Sequence, residues 1–166
     1  MKQEDKDLFI KDICARIPYG VVGKCELDAS YDTSFDTIFQ THKFDAVISG
    51  FKADSLFVYP LIEDRDEQEF ANEEVANGID ILDFKPYLLP MSSMTEAEKE
   101  EYCQLQQRVI YNSKGVVNED ITKYINWCYK KHLDINNLIP MGLAIDATGL
   151  NILNYDRERK SKEIVW

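Results

Sequence analysis

Among the residues able to do chemistry, Cys128 and His132 form the most suggestive pair. Four apart on a helix, they would share one face, as half of a zinc site or a thiol beside its general base requires. A complete zinc site needs a further ligand such as Cys103, and no CxxC accompanies the pair. Cys128 also falls on an apolar stripe, and His132 sits where a cation suits a helix end, so structural packing is the expectation for both. His42, in the polar stretch Thr41-His42-Lys43, has no serine or acid in a catalytic arrangement and reads as a turn histidine. The carboxylates Asp64, Asp66, Glu67, Glu69, Glu73 and Glu74 could gather a divalent cation, but the EF-hand spacing with its central glycine is missing. The same run could instead engage a basic protein by imitating DNA phosphates, or simply be a solvated face.

The signatures GxxxxGKS/T, GxGxxG, GxSxG and HExxH do not occur, which lowers the expectation of an enzyme. The stretch Lys85 to Met94 is apolar, proline-bounded and aromatic where loops are usually polar. It reads either as a docking surface around Tyr87 or as a connector buried within the fold. The leading expectation is therefore a non-enzymatic protein-interaction module, an acidic regulator or inhibitor, with Asp64, Asp66, Glu67, Glu69 and Tyr87 as binding residues. The alternative is a small cysteine- or metal-dependent enzyme built on Cys128 and His132. No cofactor and no metal is called for.

At 166 residues, with 45% apolar and 30% charged residues, the chain has the composition of a globular domain long enough to build a core without disulfide or metal staples. Its formal charge of -11 opposes a nucleic-acid phosphate backbone and favours a basic protein as partner. The excess is lopsided: residues 1–90 carry 9 Lys or Arg against 19 Asp or Glu, residues 91–166 carry 10 against 11. Cys14, Cys25, Cys103 and Cys128 show no framework spacing, so reduced thiols are expected. The opening MKQEDKDLF lacks a basic, then apolar, signal sequence, and no apolar run of roughly 18 residues occurs, so a cytoplasmic location without a membrane partner is expected.

Positioning these residues falls to an α+β fold. Phe9 with Ile13, and Ile10 with Cys14 and Ile17, predict a helix over 2–17, stopped by Pro18 and Gly20. Alternation predicts a strand over 19–28, a turn from Asp28 to Ser34, and strands Phe35 to Phe39, Phe44 to Phe51 and Ser55 to Leu61, the last two joined by a hairpin at 52–54. Residues 63–78 lack a sustained period and read as a solvated loop or a frayed helix. A last strand around Ile79 to Phe84 should end the sheet before Pro86. A capping box, Thr95 with Glu98 or Ser93 with Glu96, opens a helix to Ile110, with Lys114-Gly115 as a terminator. A second helix starts at Asn118 and completes a hairpin. Leu138 to Ala144 is an apolar cap on the core, and the charged residues 155–166 form a flexible tail beyond a single domain, 1–154. The prediction is thus an N-terminal helix, an antiparallel sheet or small partly open β-barrel of about five strands, then a C-terminal helical hairpin. Open sheet edges allow a homodimer.

The segments KPYLLPMSSMTEAEKEEY (85–102) and LIPMGLAIDA (138–147), with DLFIKDICARIPYGV (7–21), resemble stretches of a family of small uncharacterised proteins of gut Bacteroidales bacteria and their phages. The middle, 28–78, and the tail after Ala147 depart from that pattern. The resemblance brings no activity, cofactor or catalytic residue, and implies a bacterial or phage setting in the cytosol.

Overall fold

The computed structural model describes residues 2–32, 37–52, 55–111 and 118–150. The chain divides into two compact units, the first from Met1 to Tyr87 and the second from Leu88 to Leu150. The architecture is the expected α+β: a helix, a sheet, then a helical hairpin.

Helix α1 (Gln3–Arg16) carries Glu4 and Asp5 in its first turn and Arg16 in its last, matching the macrodipole, and passes into a 3-10 turn over Ile17–Tyr19 that contains Pro18. Its buried side is Phe9, Asp12, Ile13 and Arg16, one face at i, i+3, i+4 and i+7. Cys14, expected on the buried stripe with Ile10 and Ile17, is exposed, because the buried face is centred instead on Asp12 and Arg16 with Phe9 and Ile13. Strands β1 (Val22–Asp32) and β2 (Thr37–Lys52) form one long antiparallel ladder from Val22↔Val47 to Asp32↔Thr37. The expected turn is therefore corrected over 28–32, and so is the expected break between Phe39 and Phe44: both are strand. Polar cross-strand pairs support the extension, Thr41 Oγ1 donating to Asp28 Oδ1 at 2.8 Å and Lys43 Nζ to Glu26 Oε1 at 3.2 Å, and their polarity is what imitates a turn in the sequence. The predicted turn residues 33–34 and the start of the strand predicted at Phe35 lie outside the described residues.

Strand β3 (Ser55–Pro60) returns beside β2, with Lys52 facing Ser55, as the hairpin reading required; its tip, 53–54, lies outside the described residues. Helix α2 (Arg65–Val75) follows where a loop or frayed helix was expected, then β4 (Ile79–Asp80) pairs with Ser55 and Leu56. Strand β5 (Phe84–Leu88) runs on past the predicted end of the sheet, with Pro86 opposite Gly23. A Cβ on Gly23 would collide with the Phe84 ring and lie 2.5 Å from the Lys85 carbonyl oxygen, so this close approach requires glycine. Within the first unit the hydrogen-bonded order is β4-β3-β2-β1-β5. A short strand, β6 (Ile145–Asp146), belongs to the second unit.

In the second unit the Thr95–Glu98 capping box forms, the Glu98 N–H donating to Thr95 Oγ1 at 3.3 Å and the Thr95 N–H to Glu98 Oε2 at 3.0 Å. It starts α3 (Glu96–Tyr111), which packs against α4 (Asn118–Lys130) through Tyr102 and Tyr124, their ring centroids 5.5 Å and their hydroxyl oxygens 2.8 Å apart. The Lys114-Gly115 terminator lies outside the described residues, as does the tail, 155–166. Asp134 is buried and organises the chain after α4, its carboxylate accepting from the N–H groups of Leu138 at 2.7 Å and Ile139 at 2.9 Å. Leu138 and Ala144 are buried, but Met141 between them is 40% exposed, so the expected apolar cap is buried only at its ends. Among the described residues no helix is long and apolar enough to cross a membrane.

Candidate functional site

Among the described residues, the first unit carries an open groove of about 510 Å³ between β2 and α2. On β2, alternation places His42 and Phe44 on the same face as their cross-strand partners Leu27 and Cys25. On α2, Asp66, Phe70 and Glu74 recur at i, i+4 and i+8, with Glu67 and Ala71 beside them, so one helix face supplies the opposite wall. The His42 and Phe70 rings meet at 5.1 Å between centroids, inclined at 44°. Ala71 and Phe44 are buried in the floor, while Asp66 and Glu67 are exposed at the rim.

The helix is held in place at its start. Asp64 caps it, Oδ1 accepting from the N–H groups of Asp66 and Glu67 at 3.0 Å each. Gln68 ties the first turn to the strand behind it, Nε2 donating to the Pro60 carbonyl at 3.1 Å and Oε1 accepting from the Ile62 N–H at 3.2 Å. Nearby cations are engaged elsewhere. Lys43 pairs with Glu26 on the sheet face opposite His42 and Phe44, and Arg65 pairs with Glu69 at 3.4 Å. A smaller hollow of about 290 Å³ shares Glu74 with the groove and includes Asp28, Asp80 and Asp83 in its lining. There desolvation, then the Asp80 and Asp28 charges, push the Asp83 carboxyl above its ordinary pKa. The arrangement is anionic at the rim and aromatic in the wall, which suits capture of an organic cation.

The expected site residues distribute unevenly about this groove. Asp66 and Glu67 line it; Asp64 serves as the helix cap and Glu69 as the partner of Arg65. His42 is corrected from a turn to mid-strand, opposite Leu27, with its ring in the groove wall. Tyr87 is 5% exposed and donates its hydroxyl to Asp45 Oδ1 at 2.6 Å, which, after burial, raises its pKa further. Lys85 to Leu88 is strand with Pro86, Tyr87 and Leu88 buried, so the stretch does not present Tyr87 as a docking surface. Cys128 is fully buried, and His132 lies past the end of α4 with φ of 56°, in the left-handed region. The premise that the two share a helix face is thereby corrected: the helix ends first. Cys103 is exposed on α3, and burial, with smaller contributions from Asp83 and Asp45, pushes the Cys25 thiol up to about 12. Among the described residues no group of three or more His, Cys, Asp or Glu is arranged to hold a metal ion. Phe44 and Phe70 were missed; the i, i+4 spacing of Phe70 from Asp66 was the available signal for the second.

No family model matches this chain, and comparison with curated proteins and with solved structures finds no match for it.

Proposed function

We propose that the chain is a non-enzymatic protein-interaction module that receives a basic protein partner on the α2 side of its first unit. The carrying observation is the placement of Asp66 and Glu67 at the rim of a groove whose neighbouring cations, Lys43 and Arg65, are already paired with Glu26 and Glu69. Exposed carboxylates in that setting steer a basic partner and set its register. The bacterial or phage setting rests on the resemblance of the 7–21, 85–102 and 138–147 segments alone. No arrangement in the described residues favours the cysteine- or metal-dependent enzyme as a second reading.

The test is affinity capture from the native host with the wild-type chain and the double variant Asp66→Lys, Glu67→Lys. A stoichiometric protein is expected on the wild type at low salt, released near 1 M salt, where charges are screened beyond about 3 Å, and missing from the variant. A partner held equally by the variant, or by neither chain, contradicts the proposal.

A further inference from the structure

We infer that the groove between β2 and α2 is a socket for a single arginine side chain of a basic partner segment. The inference rests on the interaction reading above and adds the chemistry of the anchor. An arginine is an apolar stem ending in a planar cation with five N–H donors, and it gains when the stem lies on apolar surface and the head meets both a ring face and carboxylates. The groove offers these in that order. Phe44 and Ala71 make a buried apolar floor, the half-buried Phe70 ring stands in the α2 wall, and Asp66 and Glu67 flank the exposed rim. Its volume of about 510 Å³ falls within the roughly 300–1,000 Å³ of small-ligand sites, so a long side chain enters with room for water. Charge complementarity selects a cation: Asp66 and Glu67 stand at the rim, and Lys43, which also lines the groove, has its ammonium paired with Glu26. Lysine is the poorer occupant, since its ammonium is more strongly hydrated and cannot form a bidentate fork with a carboxylate.

The probe is N-acetyl-arginine methylamide, titrated into the full isotope-labelled chain while amide resonances are followed, with N-acetyl-norleucine methylamide as the uncharged stem. Saturable shifts centred on His42, Phe44, Asp66 and Phe70 are expected with the arginine probe and not with norleucine. Asp66→Asn with Glu67→Gln should weaken the arginine probe about tenfold. Phe70→Ala, which leaves every charge in place, should weaken it about two- to fivefold. Equal shifts from norleucine, or arginine shifts that gather on the outer side of α2 around Glu69 and Glu73 and ignore Phe70→Ala, overturn the socket. If capture remains sensitive to Asp66→Lys, Glu67→Lys in that case, the acidic-face reading survives without it. If the socket binds the probe but no captured protein depends on those two residues, the partner reading is what fails.

Discussion

The buried pair Asp12–Arg16 offers the sharpest perturbation of the first unit. Arg16 Nε donates to Asp12 Oδ2 at 2.5 Å and Nη2 to Oδ1 at 3.0 Å, and both side chains are fully shielded from solvent. Each charge has lost several kcal/mol of hydration, which the two-pronged contact offsets, so the cost of cutting the pair is dominated by the charge left behind. Asp12→Ala should remove about 3–5 kcal/mol of stability, a large part of the roughly 5–15 kcal/mol of a typical domain. With a urea slope of about 2 kcal/mol per molar, the unfolding midpoint should fall by about 1.5–2.5 M, read by far-UV circular dichroism and by faster hydrogen exchange of α1 amides. Replacing both partners with apolar residues, Asp12→Leu with Arg16→Met, should cost less than Asp12→Ala, since no charge is stranded. The exposed pair Arg65–Glu69, with side chains 88% and 68% accessible, is the internal control, and Glu69→Gln should shift the midpoint by less than about 0.5 M. An Asp12→Ala midpoint no lower than that of Glu69→Gln would show that the pair is not buried as described.

Two of the four cysteines, Cys14 and Cys103, are exposed, so a disulfide reagent at neutral pH should titrate two thiols quickly, with Cys25 and Cys128 following only on unfolding; three fast thiols would contradict the burial. Gly23→Ala forces a methyl against the Phe84 ring and the Lys85 carbonyl, and a thermal melt should show a loss of at least about 1–3 kcal/mol, whereas an unchanged melt would mean that β5 moves away freely. Burial first, then hydrogen bonds to Asp45 and to Tyr102, raise the pKa of Tyr87 and Tyr124 respectively. A tyrosine proton held more tightly in the folded state stabilises it below the ordinary pKa near 10 and is lost as a stabilising influence at higher pH. Ultraviolet titration should therefore show two tyrosines ionising late and together with loss of structure, and all nine ionising near pH 10 in the folded chain would refute that.

Much of the scaffold is legible from residue types because it depends on local rules. Thr95 and Glu98 announce the start of α3, the turn preferences of Pro18 and Gly20 end α1, and the paired apolar stripes of Tyr102 and Tyr124 form the helical hairpin. What escapes is whatever depends on distant pairing. Asp28 to Asp32 and Gln40 to Lys43 did not read as strand, yet each residue there has a cross-strand neighbour, and a ladder is set by the partner strand rather than by propensity. Nothing local in the sequence tells that the helix face carrying Asp12 and Arg16 is covered. The groove was half legible: the acidic run was visible, but sorting Asp66 and Glu67 from Asp64 and Glu69 needed the helix phase of α2, and Phe44 needed the sheet register.

Charge sorting also gives the free chain a salt response opposite to that of its complex. Several cations of the described residues already have acidic partners, Arg16 with Asp12, Lys43 with Glu26, Lys131 with Glu98, while Asp66 and Glu67 line the groove and Asp28, Asp80 and Asp83 line the smaller hollow. Asp80 and Asp28 repel the Asp83 carboxylate, and that repulsion, after desolvation, raises its pKa. Because its pKa is raised, ionised Asp83 opposes folding: stability is greater below the ordinary carboxylate range and is lost as pH rises through the raised value. Asp83→Asn should accordingly raise the thermal midpoint at pH 7, with a gain that shrinks toward pH 4. Added salt should raise the wild-type midpoint by screening the same repulsion, and raise it less in Asp83→Asn. The salt that steadies the free chain should thus loosen a basic partner. If Asp83→Asn lowers the midpoint at pH 7, the carboxylates around Glu74 are stabilised by contacts rather than strained by repulsion, and the opposed salt responses disappear with them.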